Sequence, residues 1–251
     1  RACEAAARFY HRMLLHTPEA EAARQHLAGR GLTAETVAAF QLGYSPDSWS
    51  ALQEHLTKEG FSPTDMLFAG LVVQKEDGSL YDRFRGRLVI PIWDERGRMS
   101  GFGARALSDD QQPKYLNSPQ TPIFDKSAIL YGIHRAREAI RREGRAVIVE
   151  GYMDALMAHQ QGFENVVGTL GTALTPAQVE LVTRYAPRIA LAYDVDAAGQ
   201  GAATFGATEL SALVGEIERS AHRGRLTDVG VVRLPDGRDP DEVMRDDPDG
   251  W

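Results

Sequence analysis

Glu150, Asp154, Asp194, Asp196, Asp239 and Asp241 are the residues whose types and spacing carry chemistry. They come in three clusters, each just past a short apolar run that reads as a strand. Glu150 follows Ala146-Val-Ile-Val149, and Asp154 lies four residues on, in the first turn of a helix. Asp194 follows Ile189-Ala-Leu-Ala-Tyr193, with Asp196 two residues later. Asp239 and Asp241 lie in Asp236-Gly-Arg-Asp-Pro-Asp241, after Val229-Gly-Val-Val-Arg-Leu234. Carboxylates gathered at one place repel each other unless cations neutralise them, and hard oxygen donors suit Mg²⁺ or Mn²⁺. Two residues apart in a turn, a pair of carboxylates reaches ions in one site. Two such ions ~4 Å apart would clamp the attacking and leaving oxygens of a phosphoryl transfer. Helix capping also places Asp and Glu after strands. It accounts for one cluster as well as metal binding does, but poorly for three.

These clusters converge only if the strands lie side by side. From Arg145 the pattern alternates strands (146–149, 165–168, 189–193, 229–234) with helices (153–161, 176–185 opened by Thr175, and 197–213). Alternation of this length implies a parallel sheet covered on both faces, whose strands end on the one edge where ligands bind. The residues before it are different. Ala6, Phe9, Tyr10, Met13 and Leu14 recur at helical spacing, Thr33 is placed to cap a helix reaching Phe40, and 47–59 reads as a helix carrying Trp49, Leu52 and Leu56. Residues 81–105 hold two apolar runs about the polar turn Asp94-Glu-Arg-Gly97, which predicts an antiparallel hairpin. A loop with Pro113, Pro119 and Pro122 leads to a helix over 130–142. The fold class is therefore α/β: a mixed α+β subdomain over 1–143, then a parallel α/β subdomain over 144–251.

With 251 residues and 43% hydrophobic content, the chain can bury a real core. The single cysteine, Cys3, excludes a disulfide framework and a zinc ribbon within this chain. No apolar run approaches the roughly 20 residues of a membrane span, and the N-terminus is not a signal peptide, so a soluble, cytoplasmic chain is expected. It opens inside a helical pattern without Met and stops at Trp251, as a piece of something longer would. The net charge of −7 is unevenly spread. Residues 1–80 carry 7 Lys/Arg against 10 Asp/Glu (net −3), 81–147 carry 13 against 8 (net +5), and 148–251 carry 8 against 17 (net −9). A basic middle and an acidic end can form opposite walls of one site, although a basic segment is more often a solvated face.

Val149-Glu-Gly-Tyr-Met-Asp154, Asp194-Val-Asp196 and Asp239-Pro-Asp241 resemble the Toprim domain of topoisomerases and primases. The flanking segments narrow the resemblance. Arg83-Phe-Arg-Gly-Arg-Leu-Val-Ile-Pro-Ile92, Gly101-Phe-Gly-Ala-Arg105, Pro113-Lys-Tyr-Leu-Asn-Ser-Pro119 and Leu130-Tyr-Gly132 are similar to the bacterial replicative primases of the DnaG type. So are Thr169-Leu-Gly-Thr-Ala-Leu-Thr175 and Leu234-Pro-Asp-Gly-Arg-Asp-Pro-Asp241. The match runs in order from about Phe9 to the C-terminus.

The resemblance implies a DNA-dependent RNA polymerase core that makes short primers on single-stranded DNA from ribonucleoside triphosphates, leaving an RNA–DNA hybrid. It implies Glu150, Asp194 and Asp196 as holders of a catalytic pair of Mg²⁺ or Mn²⁺ ions, with Asp154, Asp239 and Asp241 completing or supporting the set. Glu150 is also a candidate general acid/base. The N-terminal subdomain of the family faces the acidic site across a cleft. Arg83, Arg85, Arg105, Lys114 and Lys126 match its basic motifs, and with Asn117 they are candidates for triphosphate or template contacts. Arg87 and Arg98 are expected to be structural, as are the seven His residues. Tyr115 is a candidate for stacking on a base or for packing, and Tyr152 for packing. Gly151 and Gly171 are expected to permit sharp turns beside the site.

Val195 stands where many family members have Gly, Ala197 and Gln200 where basic residues are common, and Ser127 where Gly is common. These departures remove no carboxylate. The family's N-terminal zinc-binding module and its C-terminal helicase-binding module are absent here, so isolated priming is expected to be poor and helicase contact to need the missing part. Another Toprim enzyme (topoisomerase or nuclease) would require a tyrosine-bearing or ATPase domain and leave 113–119 unexplained. A non-catalytic DNA-binding Toprim module would favour loss of an acidic pair. A phage-type primase fused to a helicase would differ in the rest of the chain.

Overall fold

A computed structural model describes residues 1–171, 173–193, 215, 228–232, 234, 238–248 and 251. Asp194, Asp196, Val195, Ala197, Gln200 and the helix expected over 197–213 lie outside the described residues. The chain divides into two compact units, Arg1–Asp94 with Arg98–Asp125, and Glu95–Gly97 with Lys126–Trp251. As a compact unit the second half begins at Lys126, ahead of the expected division after residue 143. The reason is the helix Ile133–Glu143, whose Ile133, Ala136 and Ile140 are buried in one core with Ile148 and Leu191 of the parallel sheet.

The first unit opens with helices α1 (Ala2–His16), α2 (Glu21–Gly29) and α3 (Ala34–Ala39). The Thr33 hydroxyl accepts the Thr36 N–H at 3.3 Å and so caps α3 as its position predicts. Then come β1 (Gly43–Ser45), α4 (Ala51–Lys58), α5 (Pro63–Phe68), β2 (Val72–Gln74), β3 (Leu80–Asp82), β4 (Arg87–Trp93), β5 (Met99–Ala106) and β6 (Tyr115–Asn117). An antiparallel sheet has the order β1-β4-β5-β6, and β2–β3 is a separate ribbon. The predicted hairpin is β4–β5. Pro91, inside β4, is tolerated because β1 pairs only as far as Val89, leaving that edge of the strand without a ladder to interrupt. Tyr10, Met66, Phe84 and Phe102 centre the core, with Tyr10 edge-on to Phe102 at 5.7 Å.

The helix expected over 47–59 begins later, at Ala51. Asp82, buried at the end of β3, accepts the N–H groups of Leu52 (2.7 Å) and Gln53 (3.0 Å) and caps α4 from a distance. Its own N–H donates to Trp49 O at 2.8 Å, which holds Trp49 outside the helix. Helices α2 and α5 and strand β6 are additions to the pattern read from sequence.

The second unit runs α6 (Ile133–Glu143), β7 (Arg145–Val149), α7 (Tyr152–Gln160), β8 (Val166–Gly168), α8 (Pro176–Thr183), β9 (Arg188–Ala192), β10 (Asp228–Val231) and α9 (Pro240–Asp246). Among the described residues its four strands are parallel, in the order β10-β9-β7-β8. Side chains of α6 and α8 share a core with Ala146, Ile148, Ile189 and Leu191 on one face. Thr175 and Gln178 form a reciprocal cap at the start of α8. Among the described residues no helix is long and apolar enough to cross a membrane.

Candidate functional site

β7 lies inside its sheet, and Glu150 is the first residue past its carboxyl end. The neighbouring strand fixes it there. Thr169, just past β8, donates its N–H to Val149 O at 2.9 Å and its hydroxyl to Glu150 O at 3.1 Å. The Glu150 Oε1 atom is buried and has no hydrogen-bond donor among the described residues. Burial, and then the negative charge of Asp239, push its carboxyl up to about 7. Tyr193, buried just past β9, is pushed upward in turn by burial and by the charge of Glu150.

Asp154 turns back from the first turn of α7. Its Oδ2 accepts the Gly151 N–H at 3.0 Å, and the carboxylate also accepts the backbone N–H of Asp241. Those bonds favour the anion, but burial and the charges of Asp241 and Asp239 outweigh them and raise the group to about 7. Gly151 has φ −114°, so no left-handed turn is involved. Glycine is needed there for closeness: a Cβ would meet Asp154 Oδ2 at 2.7 Å. Gly171 does turn with φ +70°.

Asp239 is the extended residue (φ −72°, ψ 153°) before α9, and Pro240 starts that helix. Asp241 is only 2% exposed. Val243 and Met244 are buried, and α9 packs against α7. The parallel sheet therefore brings Glu150, Asp154, Asp239 and Asp241 to one neighbourhood at its carboxyl edge.

Among the described residues no three His, Cys, Asp or Glu side chains are arranged to hold a metal ion. The donor chemistry nevertheless fits a hard divalent cation. Among the described residues no donor reaches the buried Oε1 of Glu150, Asp239 repels Glu150, Asp239 and Asp241 repel Asp154, and all four carboxylates offer hard oxygen ligands. Asp154 is already held by backbone N–H groups.

The basic candidates fall into two kinds. In the first unit Arg83 donates through Nε (3.2 Å) and Nη2 (3.0 Å) to Asn117 O, tying β6 to the segment after β3. Arg85 donates to Asp82 O and lies over the Trp49 ring. Arg105 and Lys114, by contrast, line an open cavity of about 270 Å³ together with His26, Ser108 and Gln111. Arg105 Nη1 reaches Ala106 O at 2.9 Å and sits 3.5 Å from His26 Nδ1. Burial first, then the charges of Arg105, Arg30 and Lys114, lower His26 to about 4, so it stays neutral beside these cations. In the second unit Lys126 is partly buried, and its carbonyl accepts from Gln178 Nε2 at 3.2 Å.

Arg87, 4% exposed, donates to the carbonyls of Pro113 (2.7 Å) and Gln112 (3.2 Å), and Arg98 pairs with Asp94 at 2.7 Å, both structural roles. Tyr152 packs edge-on to Tyr131 at 5.0 Å. Three residues near the candidates were not singled out by sequence: Thr169, Tyr193 and His26. Thr169 was discoverable, since it follows β8 just as Glu150 follows β7.

The description "DNA primase catalytic core, N-terminal domain" matches residues 9–137, and "Toprim domain" matches 144–218. DNA primases of Halalkalibacterium halodurans and Geobacillus stearothermophilus are 42% and 43% identical over 96% and 95% of this chain. The chain spans 38% of the length of each of them. A DNA primase domain from Pseudomonas aeruginosa superposes with TM-score 0.83 at 39% identity, covering 98% of this chain and 74% of that one. The RNA polymerase domain of Mycobacterium tuberculosis primase gives TM-score 0.84 at 32% identity, over 99% and 79%. With both halves matched in order, and with the carboxylate-edged parallel sheet following the antiparallel one, the chain belongs to the bacterial DNA primases of the DnaG type.

Proposed function

We propose that this chain is the catalytic core of a DNA-dependent RNA polymerase that makes short RNA primers on single-stranded DNA. The observation that carries this reading is the buried Oε1 of Glu150 at the carboxyl edge of the sheet, without a donor among the described residues, with Asp154, Asp239 and Asp241 around it. A structure of a DnaG primase catalytic domain bound to single-stranded DNA, 35% identical to this chain, supports the template class.

When bound, Mg²⁺ or Mn²⁺ supplies charge neutralisation at the α-phosphoryl group and makes the attacking 3′-hydroxyl more acidic. Glu150 would hold an ion, with Asp194 and Asp196, which follow β9 in the sequence, as the other ligands and two or more ions in all. Asp154 serves by fixing the start of α9, which places Asp239 beside Glu150. Arg105 and Lys114 meet triphosphate or template phosphates, with Asn117 and Lys126 as further contacts. Arg85 acts on the template side, and Arg83 acts through the Asn117 carbonyl that it holds. The substrates are ribonucleoside triphosphates and the product is an RNA–DNA hybrid. In the cytoplasm, the whole protein would meet the replicative helicase through a C-terminal domain and recognise template with a zinc-binding module.

The test is template-directed primer synthesis with Mg²⁺ or Mn²⁺, in a full-length context, by the wild type, Glu150→Gln and Asp194→Asn. Synthesis by the wild type and its loss in both variants is expected. Unchanged synthesis in both overturns the metal assignment, and no synthesis in any version favours a binding-only module.

A further inference from the structure

Gln178, in α8, is fully buried, and both polar atoms of its amide are hydrogen-bonded. Its Oε1 accepts the Thr175 N–H at 3.0 Å and completes the cap of α8. The cap needs nothing more, yet Nε2 donates to two further carbonyls, those of Lys126 at 3.2 Å and Ile129 at 2.8 Å. The Thr175 hydroxyl, which accepts the Gln178 N–H at 3.2 Å, donates in its turn to Ser127 O. The carbonyls of Lys126, Ser127 and Ile129 are therefore held by the two side chains that open α8. A buried side-chain amide costs desolvation unless its donors are used, so a glutamine that served only the cap would be poorly matched to this place. Thr175 lies six residues after Thr169, whose hydroxyl holds Glu150 O at 3.1 Å. The same stretch of chain thus grips the carboxylate edge at one end and the backbone of Lys126 at the other.

We infer that Gln178 is a positioning residue for Lys126 in the binding of ribonucleoside triphosphates. The inference rests on the proposed function, which gives Lys126 a phosphate contact. A lysine ammonium is a point charge on a flexible four-carbon stem, so its reach is set by the backbone that carries it. Gln178 acts through that backbone. With the Lys126 and Ile129 carbonyls fixed, a triphosphate meets a charge whose stem is already anchored. Without the clasp, residues 126–129 would be ordered only on binding, and the freedom they lose would be subtracted from the affinity. A glutamine with a purely structural role would lower stability and leave nucleotide affinity alone.

The experiment measures KM for ribonucleoside triphosphates, and kcat, in template-directed primer synthesis in a full-length context, with thermal melts alongside. The variants are Lys126→Ala, Gln178→Met, the two combined, and Val182→Ala. Methionine keeps the length of the side chain and removes both N–H donors. Val182→Ala truncates a fully buried residue of the same helix and is the stability control. Lys126→Ala is expected to raise KM about 10- to 140-fold, the range of a charged hydrogen bond at tenfold per 1.4 kcal/mol. Gln178→Met should raise it about 5- to 25-fold, the range for ordering the backbone of one residue, with kcat within about twofold of the wild type. Added to Lys126→Ala, Gln178→Met should raise KM by less than about twofold more. Val182→Ala should lower the melting temperature with KM unchanged. Wild-type KM in Gln178→Met overturns the inference, as does a Gln178→Met loss of the same size with and without Lys126. A rise in KM in Val182→Ala equal to that in Gln178→Met overturns it too, by marking a fold defect. If Lys126→Ala keeps the wild-type KM, the phosphate contact falls and the inference with it. A wild type that makes no primer overturns the proposed function itself, and with it this inference.

Discussion

The Asp154 carboxylate accepts the backbone N–H of Asp241, so the turn after β7 and the first turn of α9 are closed by one side chain. Removing that acceptor strands two N–H groups, those of Gly151 and Asp241. Asp154→Ala should therefore lower the unfolding free energy by about 2 kcal/mol, and Asp154→Asn, which keeps an acceptor oxygen, by less than about 1 kcal/mol. Urea unfolding followed by circular dichroism reads both values. Equal losses would mean that the hydrogen bonds contribute nothing.

The same group and Glu150 make stability depend on pH. Both carboxyls are raised to about 7 in the folded chain, by burial first and by neighbouring carboxylates second. A raised carboxyl favours the folded state when protonated. That contribution is fully present below the ordinary carboxylate range, and is lost as pH rises through about 7. Without divalent ions, the melting temperature should fall between pH 5 and pH 8, and added Mn²⁺ should restore it at pH 8 by binding the folded state. Glu150→Gln should flatten the fall. A flat wild-type profile would contradict the repulsion inferred at this edge.

Gly151 is fixed by closeness. Gly151→Ala places a Cβ 2.7 Å from Asp154 Oδ2 and should cost about 1–3 kcal/mol through displacement of that carboxylate. Gly29→Ala is the control. Nothing lies within 4 Å of its Cβ position at the end of α2, so it should be neutral or stabilising by up to about 1 kcal/mol. Thermal unfolding of the two variants distinguishes them, and similar losses would refute the close-packing argument.

Much of this was legible from the chain alone, because it follows local rules. The alternation of short apolar runs with helices gave the parallel sheet, and Thr33 and Thr175 marked helix starts through their own hydroxyls. What could not be read is made by residues distant in sequence. The start of α4 is set by Asp82, a cap supplied from β3, so Trp49 was expected inside a helix that begins two residues after it. The unit boundary is set by which core Ile133 and Ile140 enter. The bond between Asp154 and the Asp241 N–H depends on where α9 docks. Among the arginines, composition cannot separate Arg83 and Arg87, whose guanidinium groups hold carbonyls distant in sequence, from Arg105, which reaches only its neighbour's carbonyl and lines a cavity.

That division has a consequence for binding and stability. Arg105→Ala and Lys114→Ala should weaken nucleotide or template binding and each reduce the salt slope on single-stranded template by about 0.7, with little change in melting temperature. Arg87→Lys, which loses the forked contact to Pro113 and Gln112, should instead destabilise the fold by about 1–2 kcal/mol. Filter binding at several salt concentrations, paired with thermal melts, separates the two classes. A stability loss without a binding loss for Arg105 would return it to the structural group.

The central claim is that the carboxylate edge around Glu150 holds divalent cations. Calorimetric titration of Mn²⁺ into wild type and Glu150→Gln at pH 8 tests it most directly, because the amide keeps the shape of the side chain and removes one charge. The account predicts wild-type binding, and in Glu150→Gln either the loss of an ion or an affinity weaker by at least about tenfold. Superimposable isotherms for the two proteins would contradict it.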